Sequence, residues 1–179
     1  MAEHRSKYII KFSGIPAGDH QFTYEIGDAF FEGRDGSIIL KSKVEIEAIL
    51  HKSSTLQLTL KMEGVVEAEC VRCLDPFELP VSVEKTLLIR MVENPSSEDD
   101  DDDAIYVANS AHELDLERHI YDFLTLQVPL HPVHPEDENG IPTCNPEVLK
   151  LLGLKTPEKD ESKEKQEDRW AVLRKLKMN

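Results

Sequence analysis

Lys43-Val44-Glu45-Ile46-Glu47-Ala48-Ile49-Leu50 and Leu56-Gln57-Leu58-Thr59-Leu60-Lys61-Met62 obey one rule: every even-numbered residue is apolar. The alternation resumes past Gly64 through Val66, Ala68 and Cys70, with Glu63, Glu67 and Glu69 between them. On a strand, residues two apart share a face; on a helix, the same residues would spiral round every side. The stretch therefore reads as two long strands joined by a turn at Lys52-Ser53-Ser54, with Gly64 marking a bulge or bend. A third strand follows from Leu79 to Met91, its buried face holding Leu79, Val81, Val83, Leu87, Ile89 and Met91, with Lys85 as the exception. Three antiparallel strands with one apolar face each need a covering layer or closure. The expected fold class is α+β: an antiparallel β-meander or partly closed barrel covered by a helix, with short C-terminal helices.

Outward from this core the signals are shorter. Lys7–Phe12 and His20–Ile26 read as strands, separated by Gly14, Pro16 and Gly18. Asp28 can cap a helical turn that carries Phe30 and Phe31 onto the sheet. Residues 94–103 form a linker that ends in six consecutive acids, Glu98 to Asp103. Ala104–Ala108 reads as a short returning strand. Glu113–Gln127 has Leu116, Ile120, Phe123 and Leu124 near one face and reads as the covering helix, ended by Pro129. His131–Pro142, with three prolines and a glycine, should be irregular. Asn145-Pro146 then opens a short helix that Gly153 stops. The expected organisation is one α+β domain over 1–154, a flexible charged linker over 155–167 and a basic C-terminal helix over 168–179.

Composition narrows the function. The 179 residues carry a formal net charge of −14, and 40% are hydrophobic, enough for a core. An acidic chain is a poor general ligand for phosphate backbones, so a basic protein partner fits better than naked RNA. Three cysteines without a secretory signal suggest a reducing compartment, and no apolar run approaches the roughly 20 residues of a membrane span. The expectation is a cytoplasmic protein with no membrane association and no small-molecule substrate.

Cys70-Val71-Arg72-Cys73-Leu74 lies at the turn between the second and third long strands. One reading makes it half of a zinc site completed by two of His131, His134 and Cys144, with Cys70, Cys73, His134 and Cys144 as the preferred set. The other makes Cys70 a buried continuation of the apolar face and Cys73 a turn thiol. Redox chemistry fits poorly, because thioredoxin-like Cys-x-x-Cys pairs open a helix rather than join antiparallel strands. The acidic run lacks the spaced ligands and glycine turn of a calcium loop. Glu113, Asp115, Asp122, His112 and His119 come with no nucleophile or phosphate loop and read as surface groups, so no catalytic residue is assigned. From Arg169 onward, Arg169, Arg174, Lys175 and Lys177 stand without an acid. With Trp170 they make either a docked helix with a solvated basic face or a contact with rRNA or the ribosome.

The Cys turn, the acidic linker, the helix leading into Val128-Pro129-Leu130 and the terminal Asp168-Arg169-Trp170-Ala171-Val172-Leu173-Arg174-Lys175-Leu176 occur in this order. Together they resemble the bacterial large ribosomal RNA subunit accumulation protein family, the YceD family. The resemblance implies a non-enzymatic ribosome-biogenesis factor supporting synthesis, processing or stability of large-subunit (23S) rRNA. Its implied partner is a large-subunit precursor or basic ribosomal protein, with contact to rRNA direct or indirect. In many members a Cys-rich stretch follows Leu-Pro-Leu. Here it is replaced by His131-Pro132-Val133-His134 with one thiol at Cys144, a departure that weakens the carry-over of metal binding from the family, and zinc is the one cofactor considered. The alternative class is a small zinc-stabilised interaction module unrelated to rRNA; a redox protein is a weaker third.

Overall fold

A computed structural model describes residues 7–32, 34, 36–95 and 103–154. The chain divides into two compact units, Met1–Val133 and His134–Asn179.

In the first unit, β1 (Ile9–Lys11), β2 (Gly18–Ile26), β3 (Ile39–Lys52), β4 (Leu56–Glu69), β5 (Pro76–Val92), β6 (Ala104–Ala108) and β7 (Glu113–Asp115) precede the helix α1 (Glu117–Gln127). Strands β2 to β6 form one open sheet in sequence order. The first four are antiparallel neighbours, so the expected meander is present and the barrel alternative is not. Strand β6 adds parallel to the end of β5, pairing Leu88 with Ala104 through Val92 with Ala108. Parallel neighbours need a crossover, and residues 93–103 make it. Most of the acidic linker, 96–102, lies outside the described residues.

The period-two pattern gives the sheet one dry face. Val44, Ile46, Ala48, Leu50, Leu58, Leu60, Met62, Val66 and Ala68 are all at most 1% exposed and belong to one core cluster with Ile120 and Leu124 of α1. The 3-10 turn Asp28–Phe30 brings Phe30 and Phe31 into this core. Edge-on ring contacts run from Tyr8 to Phe30 at 5.2 Å and from Phe30 to Phe31 at 5.0 Å. Contrary to the expectation from sequence, Asp28 does not cap that turn. Its carboxylate accepts the backbone N–H of Ser42 on β3 at 2.9 Å instead.

Three further expectations need correction. The helix begins at Glu117, not Glu113, because Glu113–Asp115 pairs antiparallel with Ile9–Lys11. Asp115 Oδ1 then accepts the N–H of Glu117 at 2.9 Å, satisfying a first-turn donor. Gly64 is not a bulge: the register runs unbroken through Val44–Gly64–Val81, and the irregularity falls between Ile39 and Lys41. Met91 is 45% exposed, lining an open groove with Leu56 and Ile89 at the far end of its strand. Lys85, the exception on the buried face, reaches Asp103 at 3.3 Å.

The described part of the second unit is a paired loop and the helix α2 (Pro146–Leu151). Asn145 caps α2 by accepting the Glu147 N–H at 3.0 Å, with proline at the first helical position. Gly153, at φ +67°, ends it, and Leu154 N–H and Gly153 N–H return to Leu149 O and Lys150 O. That double closure is the Schellman pattern that a left-handed glycine permits. The expected helix over Asp168–Lys177 lies outside the described residues, as does the linker before it.

Candidate functional site

The turn between β4 and β5 is tight. Cys70 N–H donates to Asp75 O at 3.0 Å and Leu74 N–H to Cys70 O at 2.8 Å. This closure forces Leu74 to φ +63°, the one non-glycine positive φ among the described residues. The turn is also inverted in polarity. Cys70 and Cys73 are buried, at 0% and 8%, whereas Val71 and Leu74 are 54% and 67% exposed. Val71 N–H donates to Pro132 O at 2.9 Å, which fastens the chain just after α1 to this turn.

In the second unit, residues 135–143 fold back on themselves. Thr143 donates to Pro135 O through its N–H at 3.0 Å and its hydroxyl at 2.8 Å, and Glu136 bridges Pro142. Asp137 Oδ1 accepts the N–H groups of Asn139 and Ile141, each at 2.8 Å, around Gly140 at φ +71°. The Ile141 bond, followed by those from Asn139, holds the Asp137 carboxyl below the ordinary aspartate range. His134 and Cys144 are the residues just outside the Pro135–Thr143 pair. Cys144 is 3% exposed and His134 half-buried, whereas His131 is exposed.

The four side chains preferred from the sequence thus fall into two pre-arranged pairs, one per unit. Each offers one ligand atom, and among the described residues they are the group whose make-up suits a metal ion. Arg169, Trp170, Arg174, Lys175 and Lys177 lie outside the described residues.

The bare face of the sheet carries a feature that sequence reading missed. Glu25, Glu45 and Glu63 stand directly opposite one another on β2, β3 and β4, and all three are exposed. Neighbouring strands are only about 4.8 Å apart, so these like charges repel. Two ion pairs form on that face, Lys41 with Glu67 at 3.0 Å and Lys61 with Glu84 at 3.9 Å, but among the described residues no cation meets these three. Period-two alternation revealed the outward glutamates; only the register lines them up.

A cavity of about 620 Å³ opens between α1 and β5 in the first unit and is lined by Val83, Leu87, Phe123 and Leu126 with Lys85, Arg118 and His119. Arg118 approaches Asp122 at 3.7 Å. Among the described residues that line it, none is a serine or cysteine nucleophile. No described helix is long and apolar enough to cross a membrane.

A family model described as "Large ribosomal RNA subunit accumulation protein YceD" matches residues 58–177, well over half of the chain. No curated protein and no solved structure matches it.

Proposed function

The chain belongs to the YceD family of large ribosomal RNA subunit accumulation proteins, and on that premise we propose that it is a non-enzymatic binding factor acting in the cytoplasm. It supports synthesis, processing or stability of 23S rRNA by engaging a basic ribosomal protein or a pre-ribosomal particle. The family match is the observation that carries this reading. The net charge of −14 and the uncompensated row Glu25–Glu45–Glu63 support a basic protein as the first contact. Contact with rRNA is then indirect, or is confined to the basic end Arg169, Trp170, Arg174, Lys175 and Lys177, while the acidic body avoids indiscriminate phosphate binding.

An interaction module unrelated to rRNA loses its second half to the family match. Its first half, a zinc-stabilised scaffold, is compatible with the reading and gives the cysteines a structural rather than a redox role. Depletion of the protein in cells is expected to lower 23S rRNA relative to 16S rRNA, with the protein cosedimenting with large-subunit precursors. An unchanged ratio together with no cosedimentation would overturn the proposal. Truncation after Gln166 should weaken cosedimentation at low salt; an unchanged profile removes the basic end from the contact.

A further inference from the structure

We infer that the outer edge of β2 docks the basic partner, which adds an extended segment of alternating basic and apolar side chains as a sixth strand of the five-stranded sheet. The inference rests on the basic-protein reading above and names how that partner is held. Among the described residues, β2 pairs with β3 on one side and with no strand on the other. In an antiparallel ladder every second residue turns both its N–H and its C=O away from the neighbouring strand. About four of the nine residues of β2 therefore present backbone groups that the sheet does not use.

Edge strands are normally blunted by lysine, proline or a bulge. Strand β2 contains neither residue, and its register with β3 runs unbroken from Gly18–Lys52 to Ile26–Val44. Its guards are two exposed acids, Asp19 and Glu25. Guards of that sign choose the partner. Symmetric antiparallel pairing with a second copy, centred on Phe22, would set Asp19 against Glu25 at both ends, between chains of net charge −14. A basic strand meets the same acids as attraction.

The two sides of this edge differ in chemistry. On the bare side, Glu45, Glu47 and Glu63 with Thr23 and Lys61 line an open concavity of about 420 Å³. On the core side, Tyr8, Tyr24 and Phe30 with Lys7 and Glu25 line another of about 520 Å³. The aromatic wall is fixed: Tyr24 donates its hydroxyl to Ile9 O at 3.2 Å and meets Tyr8 edge-on at 5.8 Å. Thr23, midway along the strand, borders both concavities. A strand laid beside β2 continues its pleat, so its successive side chains fall to opposite faces. Basic side chains then meet the glutamates and apolar ones meet the tyrosines. Main-chain bonds supply affinity, and the two unlike linings supply specificity.

The test is amide hydrogen exchange of the full chain with and without a labelled peptide of alternating lysine and valine, matched to the nine residues of β2. At low salt, exchange is expected to slow about tenfold or more at alternate amides within 18–26. Exchange in β6, the other edge of the sheet, should not change. A peptide of the same composition with its lysines and valines in separate blocks keeps the charge without the alternation, and should bind about tenfold more weakly. Thr23→Lys sets a cation on the exposed edge without touching the core and should weaken binding about tenfold, whereas Thr23→Val should retain it. No binding of the alternating peptide, binding without slowed exchange in β2, equal binding of the block peptide, or undiminished binding by Thr23→Lys overturns the docking edge. A Thr23→Lys chain that cosediments with large-subunit precursors as the wild type does overturns the edge and leaves the basic-protein reading intact. A wild-type chain that fails to cosediment overturns that reading itself.

Discussion

A methyl group at Gly64 would lie 2.2 Å from the Lys43 carbonyl oxygen and 2.7 Å from Val44 Cα. Both are backbone atoms in the middle of β3, which cannot retreat as a flexible side-chain tip would. Gly64 also sits midway along β4, paired with Val44 on one side and Val81 on the other, so any shift is passed to three strands. Gly64→Ala is therefore expected to cost about 2–4 kcal/mol, as overpacking with backbone displacement does. Urea denaturation reads this as a lowered midpoint at unchanged slope, and an unchanged midpoint would mean the strands do not approach so closely. The same residue shows what a single sequence conceals. A glycine inside an alternating run announces something exceptional, but a bulge and a close backbone approach leave the same mark. Leu74 is harder still, since nothing about a leucine announces a left-handed backbone.

Long elements were legible because their own residues specify them. Strands β3, β4 and most of β5 follow from period-two alternation, and α2 follows from Asn145, Pro146 and Gly153. The short strand Glu113–Asp115 was not legible, because its partner, Ile9–Lys11, lies about a hundred residues away. Leu114 and Leu116 share a period with that strand, and Leu116, Ile120 and Leu124 share one with the helix; only pairing decides where one ends. The parallel direction of β6 is equally silent in five residues. The stretch His131–Pro142 reads as irregular in sequence, yet 135–143 is paired at its base by Thr143 and Pro135 and tied at its tip by one side chain, Asp137. Asp137 is ionised at neutral pH, and its folded-state pKa is lowered first by the Ile141 N–H. A lowered carboxyl contributes stability that is complete above its unfolded value and lost as pH falls through the folded one. The loop should thus loosen in acid, below about pH 4. Faster amide exchange at Asn139 and Ile141 reports it, and Asp137→Ala should show that fast exchange already at neutral pH. Equal protection in the variant would show that the carboxylate is not the clasp.

For the molecule as a whole, net charge and the glutamate row favour a basic protein as first contact over the phosphates of rRNA, and these two partners respond oppositely to one change. Salt does not separate them, because it screens either contact. Replacing Glu25, Glu45 and Glu63 together by Gln removes three negative charges from the bare face without touching the core, since all three are exposed. In the isolated protein the change relieves cross-strand repulsion, so the denaturation midpoint should rise, more at low than at high salt. With a basic protein as partner, the same variant loses attraction: association with pre-ribosomal particles should slow and weaken, most at low salt. With rRNA phosphates as partner it loses repulsion and should bind more tightly. Cosedimentation of wild-type and triple-variant protein across a salt series reads the sign directly. Weaker binding in a more stable variant supports the basic-protein contact, because a general folding defect would lower both together. Tighter binding would transfer the contact to RNA and leave the basic C-terminal segment as its carrier.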